Sequence, residues 1–223
     1  MKKIFPALAL LGLLSCNNAD TKEATTTTTV DTMATSGTAS TGTTTEATPA
    51  APVDSATMMK NWQAYMTPGD VHKMMASWNG SWNGTMQMWH MPNTPPETSK
   101  VNTVNRMIMG GRYQVNTHTG TMMGMPFEGT GTLAYDNAKK KFISTWIDNM
   151  GTGIMLLEGG WDEGTKSMTL TGKCVDPSAG NGKETPVRET FTSIDANTQL
   201  MEMYGPAPDG KEFKMMEIKF TRK

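Results

Sequence analysis

The chain has 223 residues and a formal net charge of -1, from 20 Lys+Arg and 21 Asp+Glu. That balance excludes a generic nucleic-acid binder, which needs a basic excess to displace counterions from phosphates. It also excludes a highly charged solvating chain.

Lys2 and Lys3 open the sequence, and an apolar run follows from Ile4 to Leu14, broken by Pro6 and Gly12. The run falls short of the roughly 20 apolar residues that a bilayer span requires, but it has the length and flanks of a secretory signal. It ends Leu13-Leu14-Ser15-Cys16, which resembles the lipobox of bacterial lipoproteins. The resemblance implies cleavage after Ser15, a diacylglyceryl thioether on Cys16, and Cys16 as the acylated N-terminus. More than one acyl chain gives stable anchoring, whereas a single chain binds membranes only marginally. Asn17 follows in place of an aspartate, and by analogy with lipoprotein sorting this implies retention at the outer membrane. The second cysteine, Cys174, is then left without an intrachain partner, so the exported domain must fold on its core alone.

Three regions are expected: a signal over 1–15, a tether over 16–53 and a folded domain over 54–223. The tether is rich in Thr, Ala, Ser, Gly and Pro, with Thr runs at Thr25–Thr29 and Thr43–Thr45. It has too few strong hydrophobes to offset the entropy of ordering. It reads as a flexible spacer, and its Thr content also suits O-linked sugar.

The folded part opens helically. Asp54 or Ser55 can cap a segment in which Met58, Met59, Trp62, Tyr65 and Met66 recur at helical spacing. Thr67-Pro68-Gly69-Asp70 resembles a capping box with Pro at the first helical position, and a short second helix would present Val71, Met74 and Met75. From Gly80 the period changes to two. Strands are expected over Trp82–Met91, Lys100–Met109, Arg112–Met122, Phe127–Tyr135, Lys141–Asp148, Gly153–Gly160, Ser167–Val175, Val187–Ile194, Leu200–Tyr204 and Glu212–Thr221, separated by turn chemistry such as Met109-Gly110-Gly111 and Pro208-Asp209-Gly210. Ten short strands joined by short turns predict an all-β antiparallel meander. Closure into a barrel removes its edges most simply, with a two-sheet sandwich as the alternative.

Gly80-Ser81-Trp82 at the start of the meander resembles the Gly-x-Trp motif of the lipocalin-like calycin barrels. That likeness implies that an Arg near the end of the last strand packs across the Trp, and Arg222 stands there. Trp82 and Arg222 are therefore expected to close the barrel. A wider likeness covers most of the folded part. Gly110-Gly111-Arg112-Tyr113, Pro126-Phe127-Glu128-Gly129-Thr130-Gly131, Ser144-Thr145-Trp146-Ile147-Asp148, Leu170-Thr171-Gly172 and Pro208-Asp209-Gly210-Lys211-Glu212-Phe213 follow in order. This succession is similar to the bacterial family catalogued as domain of unknown function 1579, which implies no catalytic residues.

The three histidines, His72, His90 and His118, lack metal-ligand spacing, and no Cys-x-x-Cys occurs. Some related ten-stranded barrels bind haem through a histidine late in the chain, but the last one here is His118. No metal and no cofactor are expected. The 22 methionines include period-two pairs. Met86, Met88 and His90 would share a strand face, a set that suits Cu(I), although Met also serves as adaptable core filler. No nucleophile elbow, phosphate loop or dinucleotide fingerprint is present, so a non-enzymatic role is expected. Alternation groups Arg112, Gln114, Asn116 and His118 on one face, Glu128, Thr130 and Thr132 on another, and Phe142, Ser144, Trp146 and Asp148 on a third. If these faces point inward, Arg112, His118, Glu128, Trp146 and Asp148 are the candidate ligand-binding residues. Two roles remain open. One is an envelope lipoprotein binding a small, partly apolar ligand; the other is a structural or interaction module with a filled barrel.

Overall fold

The computed structural model describes residues 53–223. The expected signal, Cys16 and nearly all of the Thr-rich tether lie outside the described residues.

Helix α1 spans Ser55–Met66. The Asp54 carboxylate caps it, accepting from the backbone N–H groups of Ala56 and Thr57 at 3.0 Å each. Helix α2 spans Asp70–Ser77, with Gly69 as its N-cap. The anticipated capping box takes a different form. Pro68 lies before the cap, and Thr67 closes α1 by donating its hydroxyl to the Gln63 carbonyl at 2.6 Å. The reach-back to the α2 N-terminus comes from His72, whose Nδ1 accepts from the Gly69 N–H at 3.1 Å.

Ten antiparallel strands follow: β1 Gly80–Met88, β2 Glu97–Ile108, β3 Tyr113–Met122, β4 Met125–Asp136, β5 Lys141–Asp148, β6 Met155–Asp162, β7 Ser167–Val175, β8 Glu184–Asp195, β9 Thr198–Pro206 and β10 Glu212–Arg222. Each pairs with its sequence neighbours, and β1 pairs with β10, so the meander closes into a barrel without edges. The closing register sets Trp82 opposite Arg222 and Met86 opposite Ile218.

Alternation divides inside from outside. Trp82, Met86, Val101, Ile218 and Phe220 form one buried cluster. Around α2, Met75 and Trp78 pack on Leu133, Phe142, Leu157, Met168, Leu170 and Val187 in a second. Helix α2 thus plugs one end of the barrel. Glycine makes room where the wall is crowded. A Cβ at Gly129 would lie 2.3 Å from the Trp146 ring, and one at Gly159 would lie 1.8 Å from the Thr169 carbonyl oxygen.

Among the described residues, no helix is long and apolar enough to cross a membrane.

Candidate functional site

The barrel is filled only in part. Above the α2 plug lies a cavity of about 780 Å³, within the range of small-molecule sites. Its floor is Trp78 with Asn105 and Gln114, and its far end is bounded by Met150, Ile154 and Val175. The opening has a cause in the ladder. β5 pairs with β6 only from Phe142–Gly159 to Trp146–Met155. Beyond that the chain leaves the sheet through residues 149–154. Ile147, Ile154 and Val175, all about half exposed or more, ring the gap.

Most polar groups at the floor are already engaged. The Gln114 side-chain amide donates to the Met75 carbonyl at 2.7 Å, and the Asn105 amide donates to the Trp78 carbonyl at 3.1 Å. The Trp82 indole N–H donates to that same carbonyl at 3.1 Å. The Trp78 carbonyl at the end of α2 thus gains two side-chain donors, and the Met75 carbonyl takes the Gln114 amide beside the Trp78 N–H. Asn105 turns its amide donor to Trp78, and its buried Oδ1 has no partner.

Higher in the barrel, His118 shares a hydrogen bond of 3.0 Å with the Thr103 hydroxyl through Nδ1. Its ring meets Trp146 edge-on at 5.1 Å. Burial holds the imidazole down at about 4, so it is neutral at physiological pH. Trp146 stacks near Phe127 and donates its indole N–H to Asp148 Oδ2 at 2.7 Å. The other Asp148 oxygen accepts from the Met150 N–H at 2.9 Å, which ties the β5–β6 loop to the wall.

Of the five residues expected to bind ligand, His118, Trp146 and Asp148 converge on the cavity. Arg112 and Glu128 do not. Gly110 and Gly111, at φ +66° and +84°, carry the β2–β3 turn one residue further than expected. Arg112 therefore sits in the turn, exposed, with its N–H on the Ile108 carbonyl and its guanidinium on the Met109 carbonyl. Glu128 follows the inward Phe127, so the pleat turns it to solvent. The anticipated Met86–Met88–His90 face is also broken. β1 ends at Met88, and His90 is exposed beside Glu97, 3.6 Å away. Met86 is core, and with Met122, Met155, Met168, Met201, Met203 and Met216 it supplies much of the cavity wall.

One wall residue was not among the five expected to bind ligand. Glu189 lies in β8 between Val187 and Phe191, flanked by Leu170 of β7 and Met203 of β9. It borders the cavity and is partly buried on an apolar stretch of wall, and burial pushes its carboxyl up to about 7. Its signal was present as a carboxylate at an apolar position of the Val187-Arg188-Glu189-Thr190-Phe191 alternation.

The model of the family described as "Protein of unknown function (DUF1579)" matches residues 67–222, most of the described barrel. The chain belongs to that family. The match begins just past α1. Among solved structures, the barrel resembles Rv2717c from M. tuberculosis, with a TM-score of 0.53 and 14% identity over 70% of this chain and 99% of that one. At that identity the likeness is one of fold. A redesigned beta barrel, b11L5F_LGL, gives a TM-score of 0.35 at 15% identity over 67% of this chain and 94% of its own. No curated protein matches the chain.

Proposed function

We propose that the protein is a non-enzymatic envelope lipoprotein whose barrel binds a small, partly apolar molecule. The observation that supports this is the open cavity of about 780 Å³, walled by methionine and aromatic side chains with a few polar groups facing in. A barrel serving only as scaffold would be packed to the density of a protein core. The attachment part of the reading rests on the sequence: the charged start, the apolar run and Cys16 directly after Ser15. Acylation there would hold the domain at the outer membrane on a spacer ending near residue 53.

Native mass spectrometry of the full-length protein, extracted from its own host's membranes, tests both parts in one measurement. The expected spectrum has a chain mass starting at Cys16 plus acyl groups, and a further mass lost on gentle activation. An unprocessed, unacylated chain would contradict the anchor. A protein that never carries a releasable mass, and binds nothing from a lipophilic library, would contradict the ligand-binding role.

One observation favours a second reading, an interaction module. Helix α1 buries none of its residues and leaves Met59, Trp62 and Tyr65 at least half exposed. The same spectra would show a co-purifying protein in place of a small molecule.

A further inference from the structure

The charge inside the cavity has one sign. Among the described residues, its lining contains the carboxylates of Asp148 and Glu189 and the imidazole of His118, but no Lys or Arg. Asp148 is spent on Trp146 and Met150. Glu189 has neither a cation nor a donor beside it: its cross-strand neighbours are Leu170 and Met203, and the adjacent Arg188 points outward to Glu212 at 2.6 Å. β8 lies five strands from β3 in either direction around the ring, so Glu189 faces the cavity from the wall opposite His118. Asn105 adds a second acceptor without a donor. A site built this way lacks positive charge, and it repels a carboxylate or phosphate head. Aromatic faces and thioethers suit an apolar body and a cationic head.

Resting on the ligand-binding reading above, we propose that the cavity selects apolar amines, with the ammonium group paired to Glu189 and the hydrocarbon body lying against the methionine and aromatic wall. A partly buried carboxylate that gains an ammonium partner recovers much of what it lost on leaving water. An alcohol recovers less, and a fatty acid adds a second negative charge.

The test is isothermal titration of the full-length chain with octylamine, octanol and octanoate, which share a tail and differ in head. Octylamine is expected to bind at least tenfold more tightly than either of the others. Glu189→Gln, similar in size and uncharged, should remove that preference. Glu189→Asp, which keeps the charge but withdraws it by one methylene, should retain part of it, and circular dichroism of each variant checks that the barrel is intact. Octanol or octanoate binding as tightly as octylamine, or an undiminished amine preference in Glu189→Gln, overturns the inference and leaves the cavity reading standing. Failure of all three ligands to bind the unaltered protein overturns both.

Discussion

Arg222 does more than cover an indole. Its guanidinium carbon lies 4.2 Å from the Trp82 ring centroid. Its N–H groups donate to the carbonyls of Asn79, Ser77 and Ala196 at 2.6, 2.9 and 3.0 Å. One side chain thus joins the last strand, the first strand, the end of α2 and the β8–β9 turn. Lysine has a compact ammonium that cannot present this planar fork or stack on the ring. Arg222→Lys should therefore recover only part of the Arg222→Ala loss in urea unfolding, and Trp82→Ala should cost about 3–5 kcal/mol. A double-mutant cycle should show about 1 kcal/mol of coupling; additive effects would mean that the stacking contributes nothing. The sequence pointed to this pair through its likeness to the Gly-x-Trp motif, and closure of the meander brings the two strand ends together. Arg112 was not. Whether it begins a strand or ends a turn depends on how far two left-handed glycines carry the turn, and period-two alternation says nothing about that.

At the scale of elements, the two helices contribute unequally. α2 buries Met75 completely and Trp78 nearly so, and the barrel floor bonds to its carbonyls. α1 buries nothing and is held mainly through its C-terminal end. There the Asn137 amide reaches the carbonyls of Ala64, Tyr65 and Thr67 at 3.2, 3.1 and 2.9 Å. Exposed hydrogen bonds of this kind contribute about 1 kcal/mol in all. A chain beginning at Thr67 should therefore melt within about 4 °C of one beginning at Val53. Met75→Ala should cost about 2–5 kcal/mol, with a correspondingly larger fall in Tm. Calorimetric melting of the three proteins checks the ranking, and a large loss on removing α1 would show that it packs on a surface that the fold hides. The strands were easier to read than the helices' roles. β5 and β7 fall where alternation and turn residues place them. Helical spacing alone could not tell that the apolar face of α2 enters the barrel while that of α1 stays in solvent. The inward phase of each strand was legible only from its apolar partners, so Glu128 and Glu189, both carboxylates on strands, could be sorted only by asking which neighbours are apolar.

For the molecule as a whole, two cavity-lining groups oppose each other in the dependence of stability on pH. His118 is lowered by burial from 6.5 to about 4. Between those values the unfolded chain holds the extra proton, so the contribution of neutral His118 is complete above about pH 6.5 and is lost as pH falls through 4. Glu189 is raised by burial from 4.5 to about 7. There the folded chain holds the extra proton, so its contribution is complete below about pH 4.5 and is lost as pH rises through 7. Each shift corresponds to about 3 kcal/mol, and from about pH 4.5 to 6.5 the two slopes cancel. His72, lowered chiefly by burial, adds to the His118 side. The turn carboxylates Asp136, Asp162 and Asp195 are lowered mainly by backbone hydrogen bonds and titrate below this window. The unaltered protein should thus show only a shallow rise in stability across the window. Glu189→Gln removes the opposing term, so its stability should climb by about 2–3 kcal/mol over the same range, and it should exceed the unaltered protein above pH 7. His118→Gln should show the reverse slope. Urea midpoints at half-unit pH steps for the three proteins decide the matter. If Glu189→Gln is no more stable than the unaltered protein at pH 8, the apolar wall does not hold the carboxyl in its neutral form. The cavity would then have no unmet demand for a cation to satisfy.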